Sequence, residues 1–307
     1  MKRLRMKRET RTVRRSVWQL YLMALVPFLF ILIFNYLPMG GILIAFKDFS
    51  VRKGIFGSKW AGLKYFRQLF EAPIFKTILS NTIVLSLQSL LMGFPFPILL
   101  ALAFNELRNG RKKKIIQTIV FAPYFISTVV VVSILYQVFS YRYGVVNKVI
   151  NIFGGSSIDF LSMKGFFRPA YIWSGIWQGA GYSSVLYTAA LSSIDPGLYE
   201  AAAIDGASRL QKLWHIDLPG IRATIVITLI LNTGSILGVG FEKAYLMQNA
   251  VNYTVSEIIS TYVYKVGIEQ AQFSFSTAVG VFNAVVNCIV LLTVNWIAKK
   301  VSDISLF

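Results

Sequence analysis

The residue types that usually carry catalysis are scarce in this 307-residue chain. His215 is the single histidine and Cys288 the single cysteine, so a zinc cluster, a Cys-His pair and a Ser-His-Asp triad each lack members. The sequence also has no Gly-x-x-x-x-Gly-Lys-Ser/Thr segment that could hold ATP phosphates. We therefore expect a protein that is not an enzyme and that binds no metal or cofactor of its own.

Neutral amides and aromatic rings are the polar groups within the apolar stretches of the chain. Gln178 and Tyr182 lie in one such stretch, and Asn232 and Asn283 lie in two others. Amides beside flat rings suit a hydroxyl-rich, largely neutral solute such as a sugar, so these four residues are candidates for a substrate path. The alternative is that the amides hydrogen-bond between helices and contact no solute.

The polar stretch 195–222 predicts a short helix–turn–helix. Asp195 is a good N-cap, and Pro196 suits the first position of a helix. Gly206 is expected to end this first helix, because glycine readily adopts the left-handed conformation at a helix end. A second, amphipathic helix is expected at 208–215. The small side chains of the first helix would let another protein approach its backbone closely.

The composition indicates that lipid covers much of the protein. Hydrophobic residues make up 55% of the chain and charged residues 14%, whereas a soluble domain carries about 25% charged residues. The mean hydropathy is +0.60. These values exclude a soluble enzyme and a disordered chain, and one cysteine excludes an internal disulfide scaffold.

Charge-free runs locate the expected spans. Six runs have 19 or more residues, and the next longest has 13, whereas a helix needs about 20 apolar residues to cross a bilayer. Runs of this length satisfy their backbone hydrogen bonds in lipid as helices. The sequence predicts an all-α integral membrane protein whose residues 16–307 form one domain. Its six expected spans are 18–46, 79–104, 115–139, 170–192, 221–241 and 276–298.

The distribution of Lys and Arg predicts the orientation. With six spans, 18 of the 31 basic residues lie on the N-terminal side, eight of them in the tail 1–15. Both termini and the basic tail are therefore expected in the cytoplasm. We attribute the net charge of +18 to this topology and to lipid phosphates, and not to nucleic acid. The basic and aromatic segment 47–76 is expected to lie along the outer membrane surface.

Prolines lie within three of the expected spans, at Pro27, Pro95, Pro97 and Pro123. Proline removes a helix hydrogen bond and bends the helix axis. Two interpretations remain open from the sequence: static kinks that serve packing, or bends in a bundle that rearranges.

The loop 195–219 contains the motif Glu200-Ala201-Ala202, Asp205-Gly206-Ala207 and Ile216-Asp217-Leu218-Pro219. This motif resembles the EAA coupling loop of ABC importer permeases of the binding-protein-dependent, maltose-type family. Two positions depart from the family pattern: Trp214 stands where phenylalanine is usual, and Arg222-Ala223-Thr224 replaces a proline often found after Leu-Pro. Further segments are similar to the oligosaccharide or polysaccharide permease branch, the LplB-like group: Tyr36-Leu-Pro-Met-Gly-Gly41, Ile44-Ala-Phe-Lys-Asp-Phe49, Ala122-Pro-Tyr-Phe-Ile-Ser127, Gly240-Phe-Glu-Lys-Ala-Tyr245 and Ser260-Thr-Tyr-Val-Tyr-Lys265.

This resemblance implies a type I ABC importer permease fold in a bacterial cell membrane. It implies a heterodimer with a second, homologous permease, two cytoplasmic ATPase subunits that bind ATP and Mg²⁺, and an extracellular solute-binding protein that delivers an oligosaccharide. The coupling helix would contact an ATPase. The residues expected at that contact are Glu200, Ala201, Ala202, Asp205, Gly206 and Ala207.

Two other classes of membrane protein are alternatives to an ABC importer permease. An ion-coupled carrier or channel would predict charged residues within the spans or inverted halves, and neither is evident. A membrane-embedded enzyme would predict an acidic or histidine cluster at one membrane face. The cytoplasmic acids Asp195, Glu200, Asp205 and Asp217 are the candidates, and they fit the coupling loop better.

Overall fold

Helices account for nearly all the regular structure in the computed structural model, which describes residues 2–107, 110–234, 236–238 and 240–302. Side chains are described from residue 17 to residue 301. Part of the basic loop after the second expected span, 108–109, and the end of the expected domain, 303–307, lie outside the described residues. The α-helices are α1 (Lys2–Ile31), α2 (Gly54–Gly57), α3 (Lys64–Glu71), α4 (Phe75–Gly93), α5 (Pro95–Glu106), α6 (Arg111–Phe121), α7 (Thr128–Val138), α8 (Val145–Ile152), α9 (Phe167–Ser192), α10 (Pro196–Ile204), α11 (Arg209–Lys212), α12 (Leu218–Gly220), α13 (Arg222–Gly234), α14 (Phe241–Met247), α15 (Tyr253–Ser256), α16 (Ile259–Tyr264) and α17 (Phe273–Ser302).

Tighter and wider helical turns and one small sheet complete the described structure. The 3₁₀ turns are Leu37–Phe46, Ala122–Phe125, Phe160–Ser162 and Lys164–Phe166, and the π-helical turns are Leu32–Tyr36, Leu213–Asp217 and Lys265–Glu269. Strands β1 (Lys47–Asp48) and β2 (Lys59–Trp60) pair antiparallel, with Lys47 opposite Trp60.

Three helical stretches of the described chain are long and apolar enough to cross a membrane. They are Val17–Phe46, Phe75–Glu106 and Phe273–Val301, and two bent helix pairs raise the number to five if each pair is one span. Helix α9 has 26 residues, but its many Ser, Gly, Gln and Tyr residues leave it below the same apolar threshold. The fold is therefore a helical membrane bundle with three to five apolar spans, and the number six stays a prediction.

The third expected span, 115–139, is not a single straight helix. Its two halves, Arg111–Phe125 and Thr128–Val138, meet at an angle of 97°. Pro123 lies in the 3₁₀ turn at the end of the first half, and Ile126 is extended. Ser127 caps the second half by accepting a hydrogen bond from the Val130 amide. The proline thus marks a true break in this region of the chain.

Helix α13 covers only part of the fifth expected span, 221–241, of which residues 235 and 239 lie outside the described residues. Helix α13 ends at Gly234, and it is bent by 59° from the preceding helical segment Arg209–Gly220. Beyond it, the Leu237 amide donates a hydrogen bond to the Asn287 side chain of α17 over 3.0 Å. A long-range contact therefore replaces the local helix ladder after Gly234.

Helix α9 lies at the centre of the bundle, where it contacts α4, α5, α6, α7, α13 and α14. Its N-terminal half shares an apolar cluster with Leu85 and Ile258 through Tyr171 and Ile172. Its C-terminal half shares a second cluster with Ala101 and Ile221 through Tyr187 and Leu191. The third cluster joins α3, α4, α16 and α17 through Leu69, Ile78, Ile259 and Phe275.

The first apolar stretch, Val17–Phe46, lies outside this core. Residues 17–40 are exposed, and Ala45 near its end is buried. The stretch leads into the β1–β2 hairpin, where Asp48 accepts hydrogen bonds from Lys64 at 2.8 Å and from Tyr65 at 2.6 Å. An exposed apolar surface of this length requires lipid or another protein to cover it.

Gly181 allows α6 and α9 to approach closely. A β-carbon at Gly181 would collide with the backbone carbonyl of Val120, whereas a β-carbon at Gly179, half a turn away on α9, would meet open space. We expect Gly181→Ala to destabilise the protein by about 1–3 kcal/mol, because overpacking forces the helices apart. Thermal unfolding in detergent measures this, with Gly179→Ala as the matched control. Equal melting temperatures for the two variants would contradict it.

Candidate functional site: a cavity beside α9 and the exposed helix α10

A cavity of about 850 Å³ lies between α4, α5, α9 and α13. On the α9 side it extends from Tyr171 to Ala189, over which an α-helix rises about 27 Å. The cavity therefore follows most of the thickness of a bilayer. Its polar lining residues carry hydroxyls or an amide: Ser86, Ser89, Tyr124, Tyr171, Tyr182, Ser183, Tyr187, Thr228 and Asn232.

The described lining of this cavity contains no charged residue. Two tyrosine rings, Tyr124 and Tyr182, stack with their centroids 3.9 Å apart and their planes 8° from parallel. The Tyr187 hydroxyl and the Thr228 hydroxyl are 2.8 Å apart and join α9 to α13. The Ser89 hydroxyl is buried and has no hydrogen-bond partner among the described residues. The arrangement can bind a polar, hydroxyl-rich solute.

The structure separates the four residues that the sequence proposed for a substrate path. Tyr182 and Asn232 line the cavity. Gln178 instead donates a hydrogen bond to the Ile126 carbonyl over 2.8 Å, at the break between α6 and α7. Asn283 lies on α17, away from the cavity, and its side-chain oxygen is buried without a described partner. A role in transport stays a prediction for all four.

Sequence reasoning missed the hydroxyl residues of the lining. Ser86, Ser89, Ser183 and Thr228 are common within apolar helices, where they can hydrogen-bond to their own backbone. Thr228 does so with the Thr224 carbonyl. No signal in the sequence distinguishes such residues from those that face a cavity, because the distinction depends on how the helices pack.

Helix α10, in the loop between α9 and α13, is well capped at both ends. The Asp195 side chain accepts a hydrogen bond from the Gly197 amide over 2.9 Å. At the other end, the Ala207 amide bonds to the Ala202 carbonyl and the Gly206 amide to the Ala203 carbonyl. This pair of bonds is a Schellman motif, and Gly206 has the left-handed φ of 71° that the motif needs. The glycine at this position has the expected conformation.

The end of α10 is presented to solvent. Ile204 is 87% exposed, an apolar side chain that the sequence did not single out. Among the six residues expected at an ATPase contact, Glu200, Ala201, Asp205 and Gly206 are exposed, and Ala202 and Ala207 are half-buried. An exposed surface of small, acidic and apolar groups is available to a partner.

The second helix of this loop is longer than the expected 208–215. It runs from α11 through a π-helical turn to α12 and so covers Arg209–Gly220. Ser208 and Gln211 form a capping box at its start, a signal that the sequence contained and that was overlooked. The π-helical turn contains Asp217, which is buried.

A hydrogen-bonded cluster connects α10 to the bundle. Asp217 is 2% exposed and accepts hydrogen bonds from the Tyr199 hydroxyl at 2.5 Å and from the Asn105 amide at 3.3 Å. Burial raises the pKa of Tyr199 to about 12, and the hydrogen bond to Asp217 adds to this. The phenol is therefore protonated and donating at neutral pH. Three separate elements meet here: α10, the π-helical turn and the end of α5.

Residues 93–303 match the family described as the inner membrane component of binding-protein-dependent transport systems. The match covers more than half of the chain. This chain belongs to that family. The permease is 49% identical to the polygalacturonan/rhamnogalacturonan transport system permease protein YteP of Bacillus subtilis, over 92% of this chain and 88% of that protein. It is 46% identical to Protein LplB of the same organism, over 96% and 92% of the two chains.

The fold of the permease is also similar to a solved importer. A chain in the crystal structure of a bacterial ABC transporter involved in the import of the acidic polysaccharide alginate matches with a TM-score of 0.86 and 41% identity. The match covers 94% of this chain and 97% of that one. The protein is thus a transport permease subunit, and the alternative of an ion-coupled carrier or channel is set aside.

Loss of the Tyr199 hydroxyl tests the cluster around Asp217. We expect Tyr199→Phe to lower the free energy of unfolding by about 1–3 kcal/mol, because the buried carboxylate loses its shorter hydrogen bond. Thermal unfolding of the purified permease measures this. Tyr143→Phe is the matched control, since Tyr143 is 76% exposed. If both variants unfold at the wild-type temperature, the cluster does not hold α10.

Proposed function

We propose that this permease forms half of the membrane channel of an ABC importer for an acidic oligosaccharide. A second, homologous permease completes the channel, an extracellular solute-binding protein delivers the sugar, and two cytoplasmic ATPases supply the energy. The observation that carries the proposal is the cavity beside α9. It is long, it carries hydroxyl and amide groups on a largely apolar wall, and its described lining contains no charged side chain.

The chemistry of the cavity suits a sugar. Hydroxyls and the Asn232 amide can both donate and accept hydrogen bonds, as sugar hydroxyls do. The stacked rings of Tyr124 and Tyr182 offer a flat apolar face for the C–H side of a sugar ring. No side chain in the lining is a strong, fixed ion ligand, so a chain of sugar units can move along it without being trapped.

The charge pattern favours an anionic sugar. Residues 72–105, 165–194 and 218–241, which include the spans around the cavity, contain no Asp or Glu. A carboxylate-bearing substrate thus meets no like charge along this path. The relatives named for polygalacturonan/rhamnogalacturonan transport and for alginate import support the same class of substrate.

Energy is proposed to arrive through α10, because the chain has no ATP-binding loop of its own. In this proposal α10 lies in a groove of an ATPase, with Glu200 and Ile204 at the contact, and ATP and Mg²⁺ are bound by the ATPase subunits. Movement of α10 would reach α5 through Tyr199, Asp217 and Asn105. The apolar cluster around Leu191 and Ile221 would carry it to α9 and α13.

The proposed setting is the bacterial cell membrane, with both termini in the cytoplasm. The basic tail 1–15 and the coupling loop 195–219 then lie on the same side, next to the ATPases. The β1–β2 hairpin and the segment between α13 and α17 lie on the outer side, where the binding protein docks. The exposed stretch Val17–Phe46 is covered by lipid and by the second permease.

A pair of asparagines tests the substrate path. We expect Asn232→Leu to lower ATP-dependent uptake of an oligogalacturonate by about 10-fold, as the loss of a polar contact to a moving substrate would. Uptake is measured with the complete importer in proteoliposomes. Asn283→Leu is the matched control and should reduce uptake far less. An equal effect of both substitutions would contradict the assignment of the cavity.

Gly206 tests the coupling surface. A β-branched residue at φ 71° carries a backbone penalty of about 1–2 kcal/mol, so Gly206→Val should distort the end of α10. We expect normal membrane insertion with loss of ATP-driven uptake. Gly154→Val is the control, because Gly154 has a similar φ of 80° directly after the end of α8, which the proposal does not place at an ATPase. Normal uptake by Gly206→Val would refute the coupling role.

A further inference from the structure

A buried lysine lies next to the outer end of the cavity. Lys243 on α14 is 8% exposed. Its ammonium donates a hydrogen bond to the Tyr171 carbonyl over 2.8 Å and lies 4.9 Å from the centroid of the Tyr171 ring. Tyr171 lines the cavity, so one residue separates this charge from the proposed substrate path.

Lys243 forms no ion pair with any residue that the structure describes. The described ion pairs join Lys64 to Asp48, Arg209 to Glu106 and Lys265 to Glu257. The neighbouring acid Glu242 is exposed, and Glu269 accepts a hydrogen bond from Tyr245. A buried ammonium without a carboxylate is unfavourable, and such charges within membrane proteins commonly serve a substrate.

The surroundings of Lys243 leave room for its ammonium. A β-carbon at Gly175 on α9 would lie 3.3 Å from the Lys243 nitrogen, so the glycine makes this approach possible. The next residues of the helix, Ala244 and Met247, belong to a buried apolar cluster. A charge beside such a cluster is more weakly screened than a charge in water.

The boundary between Lys243 and the cavity is thin. The Tyr171 hydroxyl donates a hydrogen bond to the Gly240 carbonyl over 3.4 Å, and both residues line the cavity. The described lining contains no competing charge. Lys243 is therefore placed to set the electrostatic potential at the outer end of the path.

We propose that Lys243 is a specificity-determining residue, whose ammonium favours saccharides that carry a carboxylate as they enter the cavity. The proposal rests on the proposed function and deepens it, because it assigns the preference for uronic acids to one side chain. The neutral hydroxyls of the lining would then bind the sugar rings, and Lys243 would discriminate by charge.

The test compares uptake of a trigalacturonate with that of its methyl-esterified, uncharged form, in proteoliposomes with the complete importer. Lys243→Gln keeps a donor for the Tyr171 carbonyl but removes the charge, and Lys243→Arg keeps the charge. We expect Lys243→Gln to lower uptake of the acid about 10-fold more than it lowers uptake of the ester. Lys243→Arg should retain most of the acid uptake. Rates are normalised to the amount of assembled complex.

Lys148→Gln removes an equal charge from the exposed surface of α8 and serves as the control, which should leave acid uptake within about twofold of wild type. The proposal is overturned if Lys243→Gln takes up the acid as well as the wild type does. It is also overturned if Lys243→Gln loses uptake of the acid and of the ester equally, or if Lys243→Arg and Lys243→Gln lose acid uptake equally. If the wild type takes up the acid but not the ester, acid uptake is compared between the two variants. Loss in Lys243→Gln with retention in Lys243→Arg then supports the proposal, and any other result overturns it. If the wild-type importer takes up neither sugar, the proposed function itself fails.

Discussion

Backbone groups inside a membrane must find hydrogen-bond partners within the protein, because lipid offers none. This constraint explains where the amide side chains of the permease lie. Gln178 bonds the Ile126 carbonyl at the break between α6 and α7, and Asn287 bonds the Leu237 amide beyond α13. Asn81 on α4 bonds the carbonyls of Thr254 and Glu257. Each of these three irregular segments is thus supported by an amide from a neighbouring helix.

The same constraint explains how α9 can be polar and central at once. Its serines, tyrosines and glycines are poorly suited to lipid, but six neighbouring helices and the cavity lie around it. Gly181 permits the close approach of α6, and Tyr187 pairs with Thr228 of α13. Other polar side chains, such as Tyr182 and Asn232, line the cavity. The cavity is therefore a consequence of placing a polar helix at the centre of an apolar bundle.

Helix α10 and the cavity are connected through described contacts. Tyr199 and Asn105 meet at the buried Asp217, and the apolar cluster that includes Ile221 continues to Tyr187, which lines the cavity. A displacement of α10 can reach the cavity lining through these groups. Asp217, Ile221 and Tyr187 are buried, and close packing in the interior makes such a link stiff.

The sequence by itself determined the features that depend on local patterns. Long charge-free runs showed that the protein resides in a membrane, and the caps at Asp195 and Gly206 defined α10 almost to the residue. The motifs around Glu200 indicated the family. Tertiary structure alone decided which amides support helix breaks, where the third and fifth expected spans bend, and that Lys243 is buried without a described carboxylate. Residues far apart in sequence decide these features, as Gln178 and Ile126 or Lys243 and Tyr171 do, and their meeting depends on how whole helices pack.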